Sequence, residues 1–259
     1  DLDSVLRDDA AKAAQGIVDW LARDMTAPSG AFFSSRDADS EHEEGKYYLW
    51  TRDEVRAAVG DDDVTLAEAA FGLDAPPNFE GRAWHLLRAV PVSALADRFK
   101  QAPKEIAARL DAIRRRLLDA RSKRVRPARD DKILTAWNSL AISGLSRCAR
   151  LLDDTRCAGM ARRALTALRE AVWTDGALYA NAAEPAWRIG GFLDDHAFLL
   201  DALLEVMQLT FDPRDLEWAI ALADALLDRF GDETSGAFRF STPQHATPLI
   251  HNENWMDDA

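Results

Sequence analysis

From residue 133 onward, apolar and polar positions recur with helical period. Residues 133–152 carry only two charges, Arg147 and Arg150, so a helix there is expected to be buried on nearly all sides. Over 156–172, Met160, Ala164, Leu165, Leu168 and Val172 make one stripe, and Arg156, Arg162, Arg163, Arg169 and Glu170 lie off it, which predicts a surface helix. Residues 194–210 are again mainly apolar. Residues 214–230 set Leu216, Ile220, Ala223, Leu227 and Phe230 against Asp215, Glu217, Asp224 and Asp228. Asp212 before Pro213 and Asp154 before Thr155 are N-cap signals for the two surface helices.

The order buried, surface, buried, surface has a period. Asp154 and Asp212 stand 58 residues apart, and Gly176 and Gly236 stand 60 apart. Each surface helix runs into a turn with a short apolar piece, Asp175–Tyr179 in the first case and Glu233–Phe240 in the second. A third copy lies near the start: an amphipathic helix over 5–25, through Ile17, Trp20 and Leu21, precedes Ser29-Gly30-Ala31-Phe32-Phe33-Ser34. Helix pairs at this spacing are long for an open α-solenoid, whose repeats run about 34–47 residues. Residues 173–193 and 231–259 are also too long for tight solenoid turns, so the pattern favours an all-α chain built as an α/α toroid over the solenoid, incomplete at about nine candidate helices. Residues 1–259 read as one partial toroid domain, irregular over 36–130 and regular over 131–240. In the irregular part, Tyr47-Tyr48-Leu49-Trp50 reads as a strand, Thr51 to Glu54 as a capping box opening a helix over 52–59, and 92–100 and 103–123 as helices.

Charge narrows the function classes. The chain holds 32 Lys plus Arg against 44 Asp plus Glu, a formal net charge of −12. That balance argues against a nucleic-acid or anionic-membrane partner. No apolar run approaches the roughly 18 residues of a membrane span. The one basic stretch, Arg109 to Lys132, has ten basic and four acidic residues. It reads first as a solvated helix face and second as a surface for an acidic protein client. Cys148 and Cys157 lack CxxC spacing and read as core thiols; they give neither a disulfide framework nor a zinc site. The sequence begins with neither a Met nor a charged-then-apolar leader, so it reads as a fragment whose N-terminus does not report the compartment; the localisation is open, with the cytoplasm favoured.

Two inner helices are preceded or opened by paired carboxylates, Asp130-Asp131 and Asp194-Asp195, the second followed by His196. Inner helices of a toroid run the same way, so their N-termini gather at one end, where the dipole favours negative charge. Paired acids at a cavity rim suit glycoside chemistry, one carboxyl serving the leaving oxygen and the other acting as base or nucleophile. Asp is also a favoured N-cap, and capping alone explains both pairs and is the first reading of them. On this reading Asp194, Asp195 and His196 are the catalytic candidates. Trp137 and Asn138, with Asp130 and Asp131, are the substrate-binding candidates, Trp137 stacking on a sugar face and Asn138 bonding its hydroxyls. The rival for Trp137-Asn138 is a core pair satisfying one another. The acidic run Asp37–Glu44 around His42 departs from the EF-hand pattern, with Glu43 where Gly is needed, so no metal and no cofactor are expected.

Several stretches together resemble one family: GAFFSSRDADS from Gly30, EGKYYLWT from Glu44, NFEG from Asn78, DDKILTAWN from Asp130, and GFLDDHA from Gly191. Asp257-Asp258-Ala259 resembles the opening of one more such motif. The resemblance is to thioredoxin-domain-containing proteins of unknown function, the spermatogenesis-associated group. It implies a thioredoxin-like domain followed by a toroid similar to the six-hairpin glycosidases and the N-acylglucosamine 2-epimerases. The thioredoxin part is not in this sequence, so CxxC chemistry is expected to be missing, and no epimerase catalytic residue transfers by position. Two functions stay open: a carbohydrate-active or carbohydrate-binding toroid with epimerase- or glycosidase-like chemistry, or a non-catalytic helical scaffold that positions a thioredoxin domain against protein clients.

Overall fold

The computed structural model of the chain describes residues 2–232 and 234–242, so the expected motif at Asp257-Asp258-Ala259 lies outside the described residues. Nine α-helices occur among the described residues: α1 (Leu2–Trp20), α2 (Arg52–Val59), α3 (Asp61–Phe71), α4 (Val92–Phe99), α5 (Pro103–Ser122), α6 (Thr135–Leu152), α7 (Thr155–Val172), α8 (Leu193–Met207) and α9 (Pro213–Phe230). Strands are two-residue pieces. The described residues form two compact units. One holds the residues up to Ser35 together with those from Asp130 onward, and the other is Arg36–Arg129.

In the first unit α6 packs against both α7 and α8, and α8 against α9. The α6–α8 contacts keep a constant offset in sequence. The Ala136 N–H donates to Asp195 Oδ1 (3.0 Å), Ser143 Oγ to Asp201 (2.8 Å) and Arg147 Nε to Glu205 (2.9 Å), at separations of 59, 58 and 58 residues. A fixed offset over three turns means that α6 and α8 run parallel and in register. Asp154 and Asp212 cap the returning helices α7 and α9, accepting from Arg156 and Cys157 in one case and Arg214 in the other. Parallel inner helices, each followed by an outer return, are the arrangement of an α/α toroid, and the offset equals the sequence period. The core follows from this: Ile142 and Leu145 of α6, Leu165 and Leu168 of α7, Leu199 and Leu203 of α8, and Trp218 and Leu222 of α9 form one buried cluster. Each such aliphatic side chain contributes about 1.5–3 kcal/mol by leaving water.

The repeat extends to the turns. Gly30, Gly176 and Gly236 all have positive φ, at 100°, 76° and 73°. Each closes a small antiparallel turn, joined by Thr26–Phe32, by Trp173–Thr174 with Ala177–Leu178, and by Gly231–Phe238. An L side chain is disfavoured at such φ, which is why glycine recurs. α6 starts at Thr135, two residues later than its apolar run suggests. Ile133 and Leu134 are extended and pair with 181–182, the Ile133 carbonyl accepting from the Ala182 N–H (3.0 Å). The chain leaves this unit after Ser35 and returns at Asp130, with Ser34 Oγ donating to the Asp130 carbonyl (3.1 Å).

The second unit packs α2–α5 around Val55, Leu66, Leu95, Ile106 and Ile113. Thr51 and Glu54 form the expected capping box. The helix α3 has no counterpart in the sequence reading. It begins with three acids, Asp61–Asp63, which suit a helix N-terminus, and ends at Gly72 in the left-handed conformation (φ 80°). Its alanine-rich stripe hides its period. The expected strand Tyr47–Trp50 is corrected: Gly45–Tyr48 is a turn, with the Tyr48 and Leu49 N–H groups both donating to the Gly45 carbonyl, and only Trp50 makes a bridge, to Trp84. The acidic run around His42 folds as a tight hairpin, Asp39–Ser40 against Glu43–Glu44, with Glu41 and His42 at positive φ.

Candidate functional site

The parallel α6 and α8 bring their N-termini to the same end of the first unit, and Asp194, Asp195, His196, Trp137 and Asn138 come with them. Asp195 is 4% exposed. Its Oδ2 accepts the Phe192 N–H (2.9 Å), capping its own helix, and its Oδ1 accepts the Ala136 N–H at the start of α6. One carboxylate therefore caps two neighbouring inner helices. Capping was legible in the sequence; the reach into α6 was not, because it depends on a partner 59 residues away. Asp194 is half-buried, and its Oδ1 accepts the Asp195 N–H (2.9 Å).

Asn138 and His196 occupy equivalent places in the two repeats. Each reaches back one turn to a carbonyl: Asn138 Nδ2 donates to Leu134 (2.9 Å), and His196 Nδ1 donates to Phe192 (2.8 Å). Asn138 does more. Its Oδ1 accepts the Phe32 N–H (2.7 Å) and its Nδ2 donates to the Phe32 carbonyl (2.9 Å). The amide thus pairs with both backbone groups of one buried residue, as a strand neighbour would. His196 is fully buried, with its ring edge-on to Phe230 at 5.0 Å. Trp137 faces the other way and is 44% exposed. Trp137 and Asn138 are therefore not a mutually satisfied core pair, and they do not point to one place.

Asp130 and Asp131 do not cap α6, contrary to the expectation that paired acids open this helix. Its N-cap is Leu134, without a side-chain cap, because 133–134 are committed to extended pairing. Asp130 instead accepts the Lys132 N–H (3.2 Å) and pairs with its ammonium (2.9 Å). The side-chain bond from Lys132, with the backbone one, holds the Asp130 carboxyl below its ordinary range. Asp131 is exposed.

Elsewhere, four of the ten cations of the basic stretch have acidic partners within the second unit. Arg109 and Arg116 converge on Asp63, Arg114 pairs with Asp111, and Arg124 with Glu54. The two cysteines differ. Cys157 is buried, and burial together with the neighbouring Asp154 pushes its thiol up to about 12. Cys148, expected in the core, is only half-buried, on a groove beside α1. Among the described residues no His, Cys, Asp and Glu cluster could hold a metal ion, and no helix is long and apolar enough to cross a membrane.

No family model matches the chain. It is similar to human spermatogenesis-associated protein 20, at 27% identity over 263 residues, covering 87% of this chain and 33% of that protein. The rat protein of that name is 28% identical over 273 residues, covering 91% and 34%. The chain thus spans about a third of the length of these curated relatives. Among solved structures, an unsaturated glucuronyl hydrolase from Bacillus sp. GL1 aligns with a TM-score of 0.40 and 18% identity, covering 90% of this chain and 61% of that one.

Proposed function

We propose that the first unit is a carbohydrate-binding toroid domain whose ligand sits at the N-terminal ends of α6 and α8. The observation that supports this reading is Trp137. A large indole stands 44% exposed one residue after the backbone N–H that Asp195 caps, on an inner helix and beside a carboxylate pair. An exposed indole offers a flat apolar face for a sugar ring, and carboxylates accept hydroxyl hydrogens. In this reading Asp194 meets the ligand and is the acid–base candidate for glycosidase- or epimerase-like chemistry, with Asp130 and Asp131 as further hydroxyl acceptors. Asp195, His196 and Asn138 hold the helix ends and the Phe32 turn that frame the site.

The test is a thermal-shift screen of the chain against mono- and disaccharides, with Trp137→Ala and Asp194→Asn beside it. A sugar at about 100 times its dissociation constant adds roughly 2.7 kcal/mol, a shift of several degrees at this size. The reading expects a sugar-specific shift that both variants lose while their unliganded melting temperatures stay close to the parent's. A shift retained in Trp137→Ala, or no shift with any sugar, overturns it. The helical scaffold with protein clients would then take its place.

A further inference from the structure

The second unit contains a cavity of about 380 Å³ lined by Trp50, Phe71, Leu86, Leu117 and Leu118, with Arg114 and Arg121 among its walls. That volume lies within the range of small-molecule sites, about 300–1,000 Å³. Its mouth keeps apolar surface in water: Leu87 is 54% exposed and Leu118 36%. The lining is a mixture of aromatic and aliphatic surface with cationic groups.

Arg121 sets the cavity apart. Its neighbours along α5 and just beyond have carboxylates: Arg109 and Arg116 share Asp63, Arg114 has Asp111, and Arg124 has Glu54. Arg115 is exposed to water. Arg121 is half-buried, and among the described residues it has no acidic partner. Its Nε is buried without a hydrogen bond. The guanidinium lies against the rings of Tyr47 and Tyr48, at 5.4 and 5.8 Å from their centroids. Ring quadrupoles attract the charge and hold the plane, but they accept no conventional hydrogen bond. The Nε is closed to solvent, so what the cavity offers a ligand is the outer part of the guanidinium, which has no carboxylate partner and matches one in geometry and charge.

We propose that this cavity binds a small amphipathic carboxylate, with the apolar tail against Trp50, Phe71 and Leu117 and the carboxylate on the Arg121 guanidinium. The two halves of the ligand answer the two halves of the lining. A purely apolar ligand would leave the arginine unpaired, and a purely ionic one would leave Leu87 and Leu118 in water. This site is independent of the carbohydrate reading, since it lies wholly in the other unit.

Octanoate is the probe, with octanol as its uncharged counterpart, each titrated calorimetrically into the full chain. The proposal expects octanoate to bind at least tenfold more tightly than octanol. Arg121→Gln should remove that difference, leaving octanol affinity unchanged. Because Arg121 also holds the two tyrosines, Leu118→Glu provides a second variant. It places a negative charge at the exposed mouth, one helical turn from Arg121, and leaves the Arg121 side chain itself in the chain. Its far-UV spectrum should match the parent's, and its octanoate affinity should fall at least tenfold. Equal binding of octanoate and octanol, no octanoate binding, or full octanoate binding by a folded Leu118→Glu chain overturns the proposal.

Discussion

Replacing Asn138 by Ala should unpin the start of α6 from the turn that follows α1. Asn138 and Phe32 are 2% and 3% exposed, so water does not replace the lost amide. The Leu134 carbonyl keeps a partner, because it also accepts the Asn138 backbone N–H at 3.1 Å. The Phe32 N–H and C=O lose the side chain that satisfies both. A buried backbone group left unpaired costs about 1–3 kcal/mol, so two cost about 2–6 kcal/mol. Against a total stability of about 5–15 kcal/mol this is a large fraction. At roughly 2–4 °C per kcal/mol for a domain of this size, the melting temperature should fall by roughly 5–20 °C. Asn138→Asp sharpens the test. It keeps the acceptor for the Phe32 N–H but turns a carboxylate oxygen toward the Phe32 and Leu134 carbonyls. At neutral pH it should be at least as damaging as Ala. The assay is urea unfolding followed by far-UV circular dichroism, comparing midpoints at unchanged slope. A loss below about 1 kcal/mol in Asn138→Ala would refute the reasoning, because it would mean that the Phe32 groups find other partners.

Other expectations follow from the same geometry. Asp195→Ala removes acceptors from two helix starts and should cost about 1–4 kcal/mol, at 0.5–2 kcal/mol per cap; equal stability of the Asp195→Ala and parent chains in urea would contradict the double cap. In the native chain a thiol reagent should label Cys148 and not Cys157, whose thiol is pushed up to about 12; labelling of both at equal rates before unfolding would contradict the burial of Cys157. Burial raises the Asp63 carboxyl, but hydrogen bonds from Arg116 and Arg109 outweigh it and hold the group below its ordinary 3.8. A carboxyl lowered in the folded state adds stability above its unfolded pKa and loses it as pH falls through the folded one. The stability gap between the parent and Asp63→Asn should therefore be full at pH 6 and shrink below about pH 4. A gap independent of pH would show that the two arginines do not act through charge.

Local signals in this sequence determine structure where the physics is local. Asp154, Asp212 and the Thr51–Glu54 box cap helices because the bonds span two or three residues. The three glycine turns were legible because positive φ selects glycine wherever the repeat places it. The strand expected at Tyr47–Trp50 failed because an aromatic run with β propensity was overruled by a turn at Gly45. The α3 helix was hidden by small residues that carry little period. At the candidate site, the residue types were visible and their division of labour was not. Asn138 acts on Phe32, 106 residues away, and Asp195 on Ala136, 59 away. Only folding decides which member of a pair faces the interior, so Trp137 and Asn138 looked like one site. Arg121 looked like one cation among ten, and its lack of a carboxylate emerges only when its neighbours find theirs.

The bond from Ser34 to Asp130 makes the Arg36–Arg129 unit a detachable loop of the toroid chain rather than a link in it. The two ends are already side by side, so closing them with a short tight turn asks little of the backbone. The toroid unit would then keep every helix it has, and the excised unit would keep a core drawn wholly from its own residues. Such an arrangement lets the two pieces change independently. A change inside the α2–α5 unit leaves the sequence offset between α6 and α8 as it is, since no residue of that unit lies between them.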